Sequence, residues 1–332
     1  MERELWPFLY HELRETANDF RQKYVQIPAW VLVAVSLWAA LHDRPVAWAC
    51  NPRNWSTTGL RPWKLPSPST MSRRAYSVGV GLLWHALQER LRRRSPEPAL
   101  IAMLDGKPLP VGGYTKDPDA AYGRGAGMMA KGYKLHTVWS NGALPEQWEV
   151  TSLKVGETTV AGEMLARSRG RGGYLLADSN YDSSKLFDEA AEAGYQLVVP
   201  IEGEGAGEGH RYQSPRRMQC VEMMRGRSKS DFGPSLYEMR TGIERKFGNA
   251  TSFGGGLGPL PAWVRRLHRI RTWVWAKLLI NAARILKKQG LTSSLQYVVK
   301  DRATLPCPYR DIPGAARVGP SSGLSNGPSD PA

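Results

Sequence analysis

The sequence predicts an α/β fold, in which a mixed sheet flanked by helices follows an N-terminal helical region. Residues 1–95 show helical patterns, whereas residues 99–200 alternate short apolar runs with helical periodicity. Two of the apolar runs stop at an acidic residue, one at Asp105 and the other at Asp178. Because open α/β sheets place their chemistry at the carboxyl ends of strands, these acids are the first candidates for a functional site.

The charge of the chain predicts a polyanionic partner. Among 332 residues, 45 Lys and Arg stand against 30 Asp and Glu, which leaves a formal net charge of +15. Such an excess suits nucleic acid or an anionic membrane. The most apolar run, residues 29–41, is too short to span a bilayer and contains Ser36, so nucleic acid is the favoured partner.

The N-terminus and the cysteines indicate the cellular compartment. The first residues lack the basic-then-apolar pattern of a secretory signal. Cys50, Cys220 and Cys307 lie far apart and form neither a disulfide framework nor a metal-binding pair. These features predict a protein of a reducing compartment, the cytoplasm.

The N-terminal region, residues 1–95, is predicted to bind DNA. After two helices, a further helix begins near Ser67, carries Arg73 and Arg74 one turn later and continues to Arg94. Hydroxyl and arginine side chains at the start of a helix can contact phosphates and base edges, as in a helix-turn-helix-like head. The alternative is an ordinary capped helix with solvated arginines.

A domain boundary is predicted where Ser95-Pro-Glu-Pro98 breaks the helical pattern. Residues 96–290 then form the predicted catalytic domain. Residues 291–332 form a tail that we expect to be partly disordered, because its end is rich in Gly, Ser, Pro and Asn.

Three strands with antiparallel connections are predicted at the start of the catalytic domain. The first ends at Asp105, and an Asp-Gly hairpin turn is the alternative interpretation of that position. A Gly-rich loop over residues 112–131 carries Lys131 and other cations that suit DNA contact, although most such loops are only loops. Strands over residues 132–140 and 144–153 follow, joined by an Asn-Gly turn.

A helix, the Asp178 strand, a second helix and a last strand complete the predicted sheet by residue 200. Asp178 could also serve simply as a helix cap or turn former. The mixed order, with the first acid on the first strand, is the pattern of a ribonuclease-H-like sheet. In such a sheet the strands that carry Asp105 and Asp178 are neighbours.

A third acid is predicted on a later helix, beyond a polar, basic excursion over residues 202–227. Tyr237, Arg240 and Glu244 are spaced three and four residues apart, so they share one face of a helix. A weak Arg–Glu surface pair is the simpler interpretation. The functional interpretation is a third metal carboxylate with a basic and an aromatic neighbour.

A long helix over residues 262–288 is predicted to face DNA. It contains eight cations, among them Arg265 and Arg269, and no acid. Because a solvated face usually mixes signs, this face favours phosphates. Trp263 and Ile270 belong to the stripe that we expect to be buried.

Asp105, Asp178 and Glu244 are predicted to form one metal site. Three carboxylates in one place repel each other, and divalent cations remove that cost. Hard oxygen ligands favour Mg²⁺ or Mn²⁺. Two such ions can activate a water or a 3′-hydroxyl for displacement at phosphorus.

Five stretches carry a resemblance to a known family: Leu65–Arg74, Leu104–Leu109, Lys131–His136, Ala177–Asp182 and Tyr237–Glu244. Over about residues 43–288 the sequence resembles bacterial insertion-sequence DDE transposases, in the group named after insertion sequence four. The last stretch matches that group's Tyr-Arg-Glu-Lys signature at the same spacing.

The resemblance implies roles for the signature residues. It implies Asp105, Asp178 and Glu244 as catalytic metal ligands for two Mg²⁺ or Mn²⁺ ions, and Tyr237 and Arg240 as contacts to the DNA end. The signature's lysine would fall at position 251, where this chain has a threonine. Arg245 or Lys246 is the candidate substitute, and Lys246 is counted among the DNA-binding residues.

The resemblance further implies cleavage of DNA at element ends and transfer of the freed strand into target DNA. Double-stranded DNA is the expected partner, a homodimer the expected state in the DNA complex, and the bacterial nucleoid the expected location. Two alternatives stay open, a non-catalytic DNA-binding protein on the same scaffold and a ribonuclease-H-like nuclease without strand transfer.

Overall fold

Six strands form one mixed sheet in the described part of the chain. The computed structural model describes residues 2–20, 25–55, 57–95, 99–125, 127–168, 172–200, 213–225 and 231–290. The strands are β1 (Ile101–Pro110), β2 (Ala121–Gly125), β3 (Met128–Trp139), β4 (Gln147–Ser152), β5 (Gly173–Leu176) and β6 (Tyr195–Val198).

The sheet combines an antiparallel half and a parallel half. β3 pairs antiparallel with β1, β2 and β4, whereas β5 runs parallel to both β1 and β6. The continuous path is β2-β3-β1-β5-β6, with β4 added to β3. The parallel pairs need crossover connections, and helices provide them.

The helices are α1 (Glu2–Asn18), α2 (Ala29–Leu41), α3 (Val46–Ala49), α4 (Pro68–Arg74), α5 (Val78–Arg93), α6 (Glu157–Ala166), α7 (Ser184–Glu192), α8 (Pro215–Met224), α9 (Phe232–Glu238), α10 (Thr241–Thr251) and α11 (Leu267–Lys288). The connection from β4 to β5 contains α6, and that from β5 to β6 contains α7. In the described part of the chain, no helix is long and apolar enough to cross a bilayer.

The N-terminal helices surround α2, whose residues are almost all buried. α1 and α5 pack against α2, and α11 packs against both α2 and β4. Lys277 of α11 is buried and donates to the carbonyls of Ala40 and Gly255 and to the Asp43 carboxylate. The prediction that every cation of the long helix faces phosphates is therefore wrong for Lys277, because its ammonium group is used inside the protein.

The helix predicted from Ser67 to Arg94 is two helices. The Ser67 side chain caps α4 by accepting from the Thr70 N–H, as expected, but the chain turns between α4 and α5. Arg73 is exposed and Arg74 is partly exposed, so both can reach a ligand. The helix-turn-helix-like role of this region remains a prediction.

Strand β1 does not end at Asp105. It continues to Pro110, and Asp105 pairs with Thr137 while Gly106 pairs with His136. Both the predicted strand end and its alternative, an Asp-Gly hairpin turn, are wrong, because β3 is long enough to pair with β1 beyond this point.

The predicted Gly-rich loop over residues 112–131 contains regular structure. β2 and the first residues of β3 form a hairpin there, so Lys131 lies in a strand. The predicted Asn-Gly turn between β3 and β4 is instead a longer connection over residues 140–146.

The long helix begins later than predicted, at Leu267. Arg266 has a positive φ of 73°, and its N–H and that of Leu267 donate to the carboxylates of Asp117 and Asp119. Two acids from another loop thus cap the helix and fix its start. Trp263, expected in the buried stripe, precedes the helix and is 45% exposed, whereas Ile270 is buried as expected.

Two predictions fall on residues outside the described part of the chain, namely the domain boundary at residues 95–98, of which only Ser95 is described, and the tail over residues 291–332. The polar excursion predicted over residues 202–227 is wrong for residues 215–224, because they form α8, whose Arg217 is buried and forms an ion pair with Asp182. Residues 202–212 and 226–227 lie outside the described part of the chain.

Candidate active site

The register of the sheet brings Asp105 and Asp178 side by side. The parallel pairing of β1 with β5 ends at Met103 and Leu176. Each aspartate lies two residues beyond that last pair, and side chains two residues apart point to the same face of an extended chain. Asp105 continues in β1, whereas the chain of β5 turns away at Asp178.

Asp178 also caps the turn that it starts. Its carboxylate accepts from the Asn180 N–H at 3.0 Å, at the beginning of a single 3-10 turn, Ser179–Tyr181. The simple interpretation, a turn-forming aspartate, therefore describes the backbone correctly. It does not exclude a functional role, since the carboxylate also contacts the side chain of Arg240, the residue before α10.

The predicted helix that carries Tyr237, Arg240 and Glu244 is divided into α9 and α10 at Arg240. The backbone of Arg240 stays helical, at φ −57° and ψ −31°, and its N–H donates to the Tyr237 carbonyl at 2.9 Å. This tighter turn keeps the three side chains on one side of the chain, so the conclusion from their spacing survives the break.

Arg240 lies among the three acids. Its guanidinium nitrogens are 3.7 Å from the Asp105 carboxylate, 3.6 Å from that of Asp178 and 4.0 Å from that of Glu244. The Arg240 side chain is 19% exposed, whereas that of Glu244 is 69% exposed. The structure therefore brings the three acids predicted from sequence to one guanidinium, with Glu244 on the solvent side.

The environment of Asp105 raises its pKa to about 6. Burial is the main cause, and the charges of Asp178 and Glu157 add to it. The Gly106 N–H, which donates to this carboxylate at 2.7 Å, and the Arg240 guanidinium act in the opposite direction. At neutral pH Asp105 is thus mainly ionised, and a nearby cation would stabilise its buried negative charge.

A metal fits the donors of this site in part. Carboxylate oxygens are hard ligands, and the two aspartates already share one cation of the chain itself, Arg240. In the described part of the chain, no three His, Cys, Asp or Glu side chains lie close enough together to hold a metal ion. Asp105 and Asp178 could hold such an ion, and Glu244 is the nearest candidate for a third ligand.

Three side chains next to Asp105 were not predicted as site residues. They are Lys134 of β3, Glu157 at the start of α6, and the buried Tyr181. Lys134 and Glu157 form an ion pair. Lys134 and Tyr181 lie within motifs that carry the resemblance, so the sequence contained a signal for them. Glu157 belongs to no motif, and its position depends on the packing of α6 against the sheet.

Several predicted DNA-binding cations also have contacts within the protein. Lys131 donates to the Thr115 carbonyl, and Lys246 donates to the carbonyls of Asn141 and Gly142. Arg265 donates to two carbonyls of its own segment, whereas Arg269 is exposed beside Tyr76.

Thr251, at the position of the signature's lysine, interacts with its own helix. Its hydroxyl donates to the carbonyls of Phe247 and Gly248 at the end of α10. The position therefore supplies no cation to the site.

Comparisons with known proteins indicate the family of this chain. No curated protein matches the sequence. Among solved structures, the chain is similar to a piggyBac transposase in a synaptic complex with hairpin DNA, at 10% identity and a TM-score of 0.44 over 86% of this chain and 74% of that one. The family model for the transposase DDE domain matches residues 96–278, which is more than half of the chain. The chain therefore belongs to the transposase DDE domain family.

Proposed function

We propose that this protein is a DNA transposase that cuts DNA at the ends of its element and joins the freed 3′ ends to target DNA. The observation that carries the proposal is the convergence of Asp105, Asp178 and Glu244 on Arg240, within the region that matches the family model. The residues come from three separate elements, so their meeting is not a result of local sequence.

The strand order supports a ribonuclease-H-like catalytic domain over residues 96–290. Three antiparallel strands, β4, β3 and β1, continue into the parallel strands β5 and β6, and the first acid lies on the first strand. We include in the proposal that residues 1–95 bind DNA and that the chain is of the bacterial insertion-sequence-four type.

Asp105, Asp178 and Glu244 are the proposed ligands of two divalent ions, Mg²⁺ or Mn²⁺. Such ions, when bound, supply an activated water or 3′-hydroxyl and stabilise the leaving oxygen at phosphorus. The chain's own contribution is the fixed geometry of the carboxylates. The burial of Asp105 supports this role, because a buried carboxylate binds a cation more strongly than a solvated one.

Tyr237 and Arg240 are the proposed contacts to the DNA end. Arg240 has a guanidinium that can bind a phosphate through two parallel hydrogen bonds, and its Nε is buried with no hydrogen-bond partner in the described part of the chain. A DNA phosphate could provide that partner only if the Arg240 side chain moves on binding, because Nε is enclosed by the protein.

The remaining proposed DNA contacts are cations that would bind backbone phosphates. They are Arg73, Arg74, Lys131, Lys246, Arg265 and Arg269. Arg73 and Arg269 are exposed, which supports contact with phosphates. Lys131 and Lys246 would have to contact DNA while they also donate hydrogen bonds to backbone carbonyls. Because two element ends must be joined, we propose a homodimer in the DNA complex.

A second candidate is a DNA-binding protein that no longer cleaves. Thr251 favours it, because its hydroxyl is used within α10 and no cation replaces the signature's lysine at that position.

The test is cleavage and strand transfer on duplex DNA from the flanks of this gene, with Mg²⁺ or Mn²⁺. Wild type is compared with Asp178→Ala and with a matched control, Asp19→Ala, which removes an exposed acid after α1. Metal-dependent joined products from wild type and the control, but not from Asp178→Ala, would support the transposase. Tight, salt-sensitive binding without cleavage by any of the three would support the second candidate.

A further inference from the structure

A polar cluster lies beside Asp105 and consists of the buried Lys134 and Tyr181 and the partly buried Glu157. The three residues come from β3, from the first turn of α6 and from the 3-10 turn after β5. An inference about them rests on the proposed function, because it concerns the same metal site.

The ion pair of Lys134 with Glu157 lies flat against β1, next to Asp105. A Cβ atom at Gly106 would be 3.0 Å from the Lys134 side chain and 3.3 Å from a Glu157 carboxylate oxygen. Glycine at position 106 therefore leaves the space that the pair fills. The Lys134 side chain is only 8% exposed, so the pair is held in one place by its surroundings.

Tyr181 places a hydroxyl among the acids. The residue is fully buried, and its hydroxyl has no partner at full hydrogen-bond geometry in the described part of the chain, while Glu157 is close enough for a weak hydrogen bond. Burial, followed by the charges of Glu157, Asp105 and Asp178, raises the pKa of this phenol well above its usual value, so it stays protonated. Its hydroxyl therefore keeps a proton that it can donate, and the acceptors nearby include carboxylates.

Stability alone does not account for this cluster. A buried ion pair contributes little compared with apolar residues of similar volume, and a buried hydroxyl without a partner is unfavourable. The cluster does connect the parts that carry the two aspartates. β3, which holds Lys134, pairs with β1 at Asp105, whereas Tyr181 lies in the turn that Asp178 begins.

We infer that Lys134, Glu157 and Tyr181 are positioning residues that set the separation of the Asp105 and Asp178 carboxylates for divalent ions. Lys134 holds Glu157 in place against β1. Glu157 in turn accepts a hydrogen bond from the Tyr181 hydroxyl when divalent ions occupy the site. This bond connects the turn that Asp178 begins to β3 and α6. None of the three residues is required to contact DNA or a metal ion.

The test measures Mn²⁺ binding to the DNA-free protein by electron paramagnetic resonance of the free ion. Tyr181→Phe and Glu157→Gln are each expected to weaken Mn²⁺ binding by about 10- to 100-fold while the protein stays folded, as for other residues that orient metal ligands. Lys134→Met in the Glu157→Gln background is expected to add little, because the two residues act as one unit.

A matched control is Tyr133→Phe. Tyr133 is also fully buried, and its hydroxyl donates to the Asp117 carboxylate at 2.7 Å, which is the same chemistry at a site that caps α11. This variant is expected to lower the unfolding temperature and leave Mn²⁺ binding unchanged. Equal Mn²⁺ binding by folded Tyr181→Phe and wild type would overturn the inference.

The failure of the proposed function has a different signature. If wild type and Asp178→Ala bind Mn²⁺ equally, the assignment of the metal site is wrong, and the proposed positioning role is wrong as well. If Asp178→Ala abolishes binding and both Tyr181→Phe and Glu157→Gln do not change it, the metal site stands and only the positioning role is wrong.

Discussion

At the scale of single residues, Arg240 decides the state of the candidate site. Its guanidinium contacts all three acids and so supplies the positive charge that they need in the absence of another cation. The same guanidinium is the proposed ligand of a DNA phosphate. DNA that draws Arg240 away would therefore leave the carboxylates free for divalent ions, so the two binding events should favour each other.

Arg240→Ala is expected to increase the affinity of the DNA-free protein for Mn²⁺. The guanidinium competes with the metal for the same oxygens, and partly exposed contacts of this kind should change the affinity by about 3- to 10-fold. Isothermal titration calorimetry measures the change. Arg53→Ala, which removes an exposed arginine far along the chain from the proposed site residues, is the control. An unchanged or weaker affinity in Arg240→Ala would contradict the competition.

Asp105→Asn is expected to stabilise the metal-free protein at neutral and higher pH. The pKa of Asp105 rises from 3.8 in the unfolded chain to about 6 in the folded one, so the folded state resists ionisation. Below pH 3.8 both states are protonated and the residue has no effect. As pH rises from 3.8 to about 6, wild type loses up to about 3 kcal/mol that the asparagine variant keeps, and above that range the difference stays constant.

The measurement is urea denaturation with a chelator present, at pH 4 and pH 8. The difference between Asp105→Asn and wild type should be small at the lower pH and largest at the higher one. Asp19→Asn, which changes an exposed acid, should show no such trend. A variant less stable than wild type at pH 8 would show that the charge of Asp105 stabilises the fold.

At the scale of elements, the pairing of β1 with β5 positions the two aspartates, and Gly173 makes that pairing possible. Gly173 has a φ of 119°, and a Cβ atom there would lie 2.0 Å from the Leu100 carbonyl oxygen. That carbonyl accepts from the Tyr174 N–H at 2.8 Å, next to the first pair of the two strands. Only glycine combines this backbone conformation with so close an approach.

Gly173→Ala is therefore expected to destabilise the protein by about 2–4 kcal/mol and to weaken Mn²⁺ binding. Gly81→Ala is the matched control, because Gly81 lies within α5 with open space around its Cβ position. Alanine there should stabilise the helix by up to about 1 kcal/mol. Denaturation midpoints measure both changes, and equal effects of the two substitutions would refute the role of Gly173.

At the scale of the whole molecule, the net charge of +15 is the property most closely connected with DNA. Some of these cations are buried in the protein, such as Lys277, and others donate hydrogen bonds to backbone carbonyls, such as Lys246. The number of cations that can neutralise phosphates is therefore smaller than composition indicates.

The logarithm of DNA affinity is expected to fall linearly with the logarithm of salt concentration. In the double variant Arg73→Ala/Arg74→Ala the slope should decrease by about 1–2 if both arginines contact phosphates. Fluorescence anisotropy of a labelled duplex at several salt concentrations gives the slope. Lys185→Ala, an exposed lysine of α7, is the control. An unchanged slope in the double variant would remove this helix from the DNA interface.

Much of the candidate site could be predicted from sequence because it depends on local patterns. Apolar runs identified the strand that contains Asp105 and the strand that Asp178 follows, and the spacing of three and four residues placed Tyr237, Arg240 and Glu244 together. That spacing held even though the helix is broken at Arg240, since the broken turn remains nearly helical.

The sequence by itself determined the class of fold, the order of most elements and the three acids. Only the tertiary structure decided which cations are available and what surrounds the acids. Lys277 lies on a cationic helix by sequence, and it is buried because the C-terminal end of α2 and the loop at Gly255 pack over it. Glu157 belongs to no motif and lies beside Asp105 because α6 packs there. Contacts between residues far apart in the chain leave no local pattern, so the environment of a charge depends on the folded protein.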